Sequence, residues 1–166
     1  MADDRTLDIL KQALLLEKRG KSFYQTVAQQ TKNKAVESFF KLMADEEQTH
    51  IHMLSEQYKS YQEIGRFNAD IRSEEKSKVS EIVLNDNMKE QISAAGYEAA
   101  AVSAAISMEM KSVELYTERA KSATDEEEEL LYQWLAGWEE THLDMLHKID
   151  NELIKNVWYD NQFWPF

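Results

Sequence analysis

The sequence contains no cysteine, and this absence removes several classes of chemistry at once. Disulfides, thiolate zinc sites, cysteine-ligated iron–sulfur clusters and cysteine nucleophiles are all excluded, and nothing indicates an oxidising compartment. Any metal ion that this chain holds must therefore be bound through oxygen and nitrogen atoms.

Breakers of regular structure are also scarce, since the 166 residues include one proline and four glycines. Apolar residues make up 43% of the chain, which suits one globular domain rich in helix. Long helices with few interruptions are the expected result.

Positive charge and long hydrophobic runs are the remaining shortages. The chain has 19 Lys and Arg against 31 Asp and Glu, a formal charge of −12. Nucleic acid or an anionic membrane surface would repel it. The leucine run Leu14 to Leu16 is far too short for a signal peptide or a membrane span. We therefore expect no nucleic-acid or membrane partner, and a cytoplasmic location.

Apolar residues recur in alternating steps of three and four, which predicts four long helices. We expect these helices over residues 6–31, 34–65, 89–121 and 124–155. Asn33 is the predicted N-cap of the second helix and Gly65 its C-cap. Thr124 and Glu127 form a capping-box pattern before the fourth helix. Residues 66–88 are predicted to form a crossover connection.

An internal repeat relates the two halves of the chain. A shift of 92 residues without gaps superposes one half on the other, and the matched pairs include Glu17 and Glu109, Tyr24 and Tyr116, Glu47 and Glu139, and His50 and His142. Because helices joined by short turns are antiparallel, the predicted fold is an all-α four-helix bundle made of two hairpins joined by a long crossover. This domain would span residues 1–157.

Six polar residues interrupt the apolar rows in core register: Glu17, Glu47, His50, Glu109, Glu139 and His142. In each hairpin the two core glutamates lie about 15 residues from the turn. A rise of ~1.5 Å per residue therefore places all four carboxylates at one height in the bundle.

Four buried carboxylates need compensating charge, because each unpaired one costs several kcal/mol against a typical stability of ~5–15 kcal/mol. Lys21 could neutralise only one of them, and its repeat equivalent is Val113. Two divalent cations would balance four glutamates, and each Glu-x-x-His motif presents both side chains on one helix face. The alternative is a metal-free buried cluster held by hydrogen bonds.

One Glu from each of two helices and Glu-x-x-His from the other two resembles the ferritin-like superfamily, and within it the rubrerythrin-related branch without a rubredoxin domain. This resemblance implies a site for two iron ions, with manganese or zinc possible at the same ligands. Glu47 and Glu139 are implied to bridge the ions. The separate ligands are implied to be Glu17 with His50 and Glu109 with His142.

The resemblance also assigns neighbours to the site. Tyr24 and Tyr116 occupy positions where rubrerythrins often have tyrosine, and they are either core aromatics or hydrogen-bonding neighbours of the ligands. Glu46 is expected to orient a histidine of the opposite hairpin. Gln48 stands where bacterioferritins have their haem-ligating Met, so no haem is expected.

The implied activity is that of a di-iron peroxidase, an oxidoreductase that reduces hydrogen peroxide or dioxygen. A chain without cysteine would need an external electron donor, such as a separate rubredoxin. The alternatives are a ferroxidase or iron-storage protein, a di-iron hydroxylase, and a metal-stabilised binding module.

The last nine residues, 158–166, form a short segment rich in aromatic side chains. Five of them are Trp, Tyr or Phe, more than a monomer usually leaves exposed. We expect this segment to pack on the bundle or at an interface, and we expect a homo-oligomer, with a dimer favoured.

Overall fold

The computed structural model describes residues 4–70, 76–81 and 96–160. Its four long helices are α1 (Asp4–Gln30), α2 (Lys34–Ile64), α3 (Tyr97–Ser122) and α4 (Glu126–Asp160). A 3-10 turn, Val79–Glu81, lies in the described part of the connection between α2 and α3. Within the described ranges there is no strand, so the predicted all-α four-helix fold is confirmed.

The ends of α2 are determined by the two caps that the sequence predicts. The Asn33 side chain accepts hydrogen bonds from the backbone N–H groups of Ala35 and Val36 at 2.9 and 3.2 Å. Gly65 ends the helix in the left-handed conformation, with φ 70°, and donates to the Tyr61 carbonyl at 2.9 Å. Glycine suits this position because a Cβ disfavours positive φ.

The start of α4 differs from the predicted capping box. Asp125, rather than Thr124, caps the helix, because its Oδ1 accepts from the backbone N–H groups of Glu127 and Glu128 at 2.9 and 3.0 Å. A charged acceptor at this position also complements the helix dipole. The helix then continues to Asp160, five residues past its expected end.

The start of α3 can be compared with its prediction only in part. The described helix begins at Tyr97, after Gly96 at the N-cap position. The expected start near residue 89 lies outside the described residues.

The helices pack as two antiparallel hairpins, α1 with α2 and α3 with α4. Two apolar clusters fill the bundle, one containing Val36 and Ile149 and the other containing Leu10 and Leu131. Each cluster combines the turn end of one hairpin with the open end of the other. Full burial of such side chains stabilises the fold by about 1.5–3 kcal/mol each. The predicted polar residues lie between the two clusters.

Two further predictions concern the C-terminal aromatic segment and membrane spanning. The aromatic segment 158–166 lies outside the residues whose side chains are described, so its packing and the dimer stay predictions. Among the described helices, none has the length and apolarity that crossing a membrane requires.

Candidate metal centre

All six sequence-predicted residues meet in one buried layer of the bundle. Two overlapping groups place their ligand atoms within 4.8 Å of one another: Glu17, Glu47, His50 and Glu139, and Glu47, Glu109, Glu139 and His142. Each of the six residues is at most 3% exposed. The groups share Glu47 and Glu139, which therefore lie between two potential cation positions.

The Nδ1 atom of each histidine faces the carboxylates. His50 Nδ1 lies 2.9 Å from Glu139 Oε1, 3.1 Å from Glu17 Oε2 and 3.6 Å from Glu47 Oε2. Three carboxylates therefore surround this one nitrogen, as expected of a ligand atom rather than of an isolated core histidine.

His142 repeats this arrangement in the second hairpin. Its Nδ1 lies 3.1 Å from Glu139 Oε2, 3.6 Å from Glu109 Oε1 and 3.7 Å from Glu47 Oε1. The rings of His50 and His142 stack with their centroids 5.9 Å apart. The repeat in the sequence thus becomes an approximate two-fold symmetry of the site.

Tyr24 and Tyr116 connect the hairpins at this layer. The Tyr24 hydroxyl donates to Glu109 Oε1, and the Tyr116 hydroxyl donates to Glu17 Oε1. Both tyrosines also belong to the apolar clusters, so they are core aromatics that hydrogen-bond to the site. Burial, together with the charges of Glu109 and Glu17 respectively, raises the pKa of both phenols well above 10. Both therefore remain protonated donors.

Glu46 lies against the histidine of the opposite hairpin, where the sequence placed it. His142 Nε2 is 2.7 Å from Glu46 Oε2, which also accepts from Trp138 Nε1 and from the Ser77 hydroxyl, each at 2.7 Å. The backbone N–H of Lys78 donates to the other oxygen at 2.6 Å. Burial opposes ionisation, but the bonds from His142, Ser77 and Trp138 lower the pKa of Glu46 to about 2.

Burial and mutual repulsion distribute protons unevenly over the carboxylates. Burial and the charge of Glu139 raise the pKa of Glu47 well above its usual range, and raise that of Glu109 to about 8. Burial also acts on Glu139, but the positive charges of His50 and His142 hold its pKa well below 4.5.

The histidines share in this proton balance. Burial opposes protonation of His50, but Glu139 and Glu17 raise its pKa to about 10. The pKa of His142 is raised as well, since Glu109, Glu139 and Glu46 outweigh its burial. Protons on the histidines and carboxylates thus compensate the negative charge of the site, which bound divalent cations could compensate instead.

Three further polar residues, Lys21, His52 and His147, take no part in the cluster. Lys21 donates to the Gln48 side chain at 2.6 Å and does not neutralise a site carboxylate. His52 and His147 are exposed, as their angular offset from the ligand histidines predicts.

The second hairpin contains a largely buried ion pair that helical periodicity does not predict. Glu128 lies in the acidic run at the start of α4, where a solvated position would be usual, but it is 5% exposed and pairs with Arg119 at 3.0 Å. Tyr132 is buried beside them, stacked on Tyr116 with ring centroids 5.9 Å apart. The signal was available in the repeat, because the shift of 92 residues places Arg119, Glu128 and Tyr132 on Val27, Val36 and Phe40.

The donor atoms fit a metal pair. Among the described residues, both Glu139 oxygens and His142 Nδ1 are buried without a hydrogen-bond partner, although His50 Nδ1 and His142 Nδ1 lie 2.9 and 3.1 Å from Glu139. Each unmade bond costs about 1–3 kcal/mol, which a coordinated cation would offset. A set of carboxylate oxygens and imidazole nitrogens suits iron or manganese, and also accepts zinc.

The helices and the buried carboxylate–histidine layer together define a ferritin-like bundle with a candidate dinuclear metal centre. The sequence profile of the rubrerythrin family matches residues 8–150. The chain belongs to the rubrerythrin family.

A solved structure supports the same fold. It is described as a hypothetical protein from Pyrococcus furiosus, with a TM-score of 0.65, 21% sequence identity and 90% of each chain covered. At this identity the likeness establishes the fold alone. No curated protein matches the chain.

Proposed function

We propose that this protein binds two iron ions at the buried layer and acts as a non-haem di-iron oxidoreductase that reduces hydrogen peroxide. The observation that carries the proposal is the overlap of the two ligand groups at Glu47 and Glu139. Two carboxylates shared between two cation positions are what a dinuclear centre requires. Membership of the rubrerythrin family supports the same assignment.

Glu47 and Glu139 would bridge the ions in this proposal. The remaining ligands would be Glu17 with His50 on one ion, and Glu109 with His142 on the other. This division follows the contacts of the two histidine Nδ1 atoms, since His50 is near Glu17 and His142 is near Glu109. Iron, manganese and zinc all accept this donor set.

When bound, a pair of ferrous ions would supply the two electrons that convert hydrogen peroxide and two protons into two water molecules. The chain's own contribution is a dry and rigid cage. Apolar clusters above and below exclude bulk water, and Tyr24 and Tyr116 fix the non-bridging carboxylates. Each hydrogen bond to a charged carboxylate contributes about 1.5–3 kcal/mol to this arrangement.

The deciding experiment compares the two oxidants on one sample. Protein prepared without oxygen is analysed for iron, reduced, and mixed in a stopped-flow instrument with hydrogen peroxide and with air-saturated buffer in parallel. We expect about two irons per chain and faster oxidation by peroxide. Less than one iron per chain, or no reaction with either oxidant, would contradict the proposal.

A ferroxidase is the second candidate, and the near-symmetry of the site favours it. Ser112 stands where rubrerythrins typically carry a further carboxylate after the α3 glutamate, and its hydroxyl donates to the Met108 carbonyl instead. Faster oxidation by air, with ferric mineral accumulating beyond two irons per chain, would identify iron oxidation and storage as the activity.

The proposal includes partners outside this chain. Since the chain has no cysteine, the oxidised centre would be reduced by a separate donor such as a rubredoxin. We also propose a homodimer built partly by residues 158–166. Deleting this segment should reduce the mass measured by light scattering to that of a monomer, whereas an unchanged mass with intact helicity would show that the segment packs on its own bundle.

A further inference from the structure

The two ligand histidines differ at the ring nitrogen that faces away from the carboxylates. His142 Nε2 lies 2.7 Å from Glu46 Oε2. His50 Nε2 is equally buried, and it has no hydrogen-bond partner among the residues that the structure describes. The symmetry of the ligand set therefore stops at these nitrogens.

The internal repeat shows why the symmetry stops there. A shift of 92 residues places Glu46 on Trp138. The second hairpin thus has an indole at the position where the first hairpin has a carboxylate. Trp138 donates its N–H to Glu46 and offers no acceptor atom in return.

Aromatic rings surround His50 instead of an acceptor. Trp138 and Trp134 contact its ring nearly edge-on, at centroid distances of 5.1 and 5.6 Å and interplanar angles of 86° and 81°. An aromatic face accepts an N–H group far more weakly than a carboxylate does. Within the described ranges, the Nε2–H of His50 is therefore held by packing rather than by a charge-assisted hydrogen bond.

The acceptor for His142 is itself held rigidly. Ser77 and the backbone N–H of Lys78 bind Glu46 from the connection between α2 and α3, and Val79 is buried beside them in the apolar cluster. Glu46 therefore has little freedom to turn away from His142. A fixed acceptor keeps the imidazole in the tautomer and orientation that present Nδ1 to a metal.

We propose that the two metal positions are inequivalent: the position served by His142 fills first, and the position served by His50 is the weaker, exchangeable one. Hydrogen-bond partners of metal-bound histidines typically contribute 10- to 100-fold in metal affinity, which is the difference expected here. The inference rests on the proposed dinuclear centre and goes beyond it, because the centre alone would allow two equal positions.

The first test observes which histidine binds first. The chain contains four histidines, so the imidazole nitrogens of protein labelled with ¹⁵N at histidine can be followed individually by NMR during a titration with Zn²⁺ alone. The exposed His52 and His147 serve as internal references. At one equivalent of Zn²⁺ we expect the His142 signals to shift while those of His50 remain, and at two equivalents we expect both to have shifted.

The second test removes the cause of the difference. Glu46→Gln replaces the charged acceptor by a neutral amide and should weaken the first binding step by roughly 10- to 100-fold, so that the two steps converge. Ser77→Ala is the matched control, because it removes one donor to the same Glu46 oxygen but leaves the acceptor of His142 in place. This control should retain the tenfold or larger difference, measured by competition with a zinc chelator.

The outcomes separate this inference from the function on which it rests. If the wild-type protein binds two Zn²⁺ ions and both histidines shift together, or His50 shifts first, the inequivalence is wrong while the dinuclear centre stands. If Glu46→Gln folds and leaves the two steps unchanged, Glu46 is not the cause and the inference fails. Binding of fewer than two Zn²⁺ ions would contradict the proposed dinuclear centre, and the inference would fail with it.

Discussion

The two hairpins supply the same ligands but surround them differently. Tyr24 and Tyr116 each bind a carboxylate of the opposite hairpin, so the ligand layer and the hydrogen bonds to its non-shared carboxylates repeat. One step outward, Glu46 of α2 is matched by Trp138 of α4. The repeat has therefore kept the residues that would touch the metals and changed the residues that position them.

A second difference lies at the turn ends of the hairpins. The first hairpin fills this region with apolar side chains, Val27, Val36 and Phe40. The second hairpin places the Arg119–Glu128 ion pair and Tyr132 at the equivalent positions. The turn end of a hairpin can therefore be filled either by apolar side chains or by an ion pair with a tyrosine. The comparison predicts where substitutions in the two halves should have equal effects and where they should not.

The largest expected effect is the loss of a shared carboxylate. Glu47→Ala and Glu139→Ala should each reduce the metal content from about two ions per chain to one or less, because each removes a carboxylate shared by both ligand groups and leaves the other charges unshielded. Metal analysis of the purified variants measures this. A variant that still binds two ions with unchanged spectra would show that its carboxylate does not bridge.

Metal affinity should increase steeply with pH. Ligation requires ionised carboxylates and neutral imidazoles, while His50 and Glu109, with pKa values of about 10 and 8, hold protons at neutral pH. Binding therefore releases protons, and each released proton makes the affinity rise about tenfold per pH unit. Calorimetry in two buffers of different ionisation enthalpy counts these protons. An affinity that is independent of pH between 6 and 8 would contradict this balance.

Substitutions at the turn ends should affect stability unequally. Glu128→Ala leaves Arg119 without its partner, and because the Arg119 side chain is 17% exposed we expect a loss of about 1–3 kcal/mol in the free energy of unfolding. The matched variant gives the second hairpin the apolar residues of the first by combining Arg119→Val, Glu128→Val and Tyr132→Phe. It should be about as stable as the wild type or more stable. Urea unfolding measures the stability of both variants. A triple variant less stable than Glu128→Ala would show that apolar side chains cannot replace the ion pair at this position.

An effect of similar size is expected for the tyrosines, and it should be the same in both hairpins. Tyr24→Phe and Tyr116→Phe each remove one hydrogen bond to a carboxylate, which costs about 1.5–3 kcal/mol of stability or of metal binding. Thermal unfolding and metal titration of the two variants should agree within error. A clear difference between them would show that the asymmetry of Glu46 and Trp138 extends inward to the ligand layer.

Much of the fold was predictable because its signals are local. The spacing of apolar residues predicted the four helices, and Asn33 and Gly65 marked the limits of α2 through hydrogen bonds and a backbone conformation that neighbouring residues determine. The cap of α4 was displaced by one residue from Thr124 to Asp125, since both can accept N–H groups and their competition depends on the turn. Cap positions in an acidic run are therefore the least predictable local feature.

The candidate site was predictable for a different reason. The repeat doubled each motif, and equal distances from the turns placed the motifs at one height, which allowed six residues to be selected together. The ion pair of Arg119 and Glu128 could not be predicted from the acidic run alone, because the sign in the sequence that Glu128 is buried is its alignment with Val36 in the repeat. Pairing across helices depends on the rotation of each helix about its axis.

The sequence by itself determined the helices, their pairing into hairpins and the set of groups available to hold a metal, because periodicity and spacing act along one chain. The tertiary structure decided how those groups are oriented. It placed Tyr24 on Glu109, His142 on Glu46 and aromatic rings on His50, contacts between residues distant in sequence whose geometry depends on how two hairpins are packed and rotated against each other.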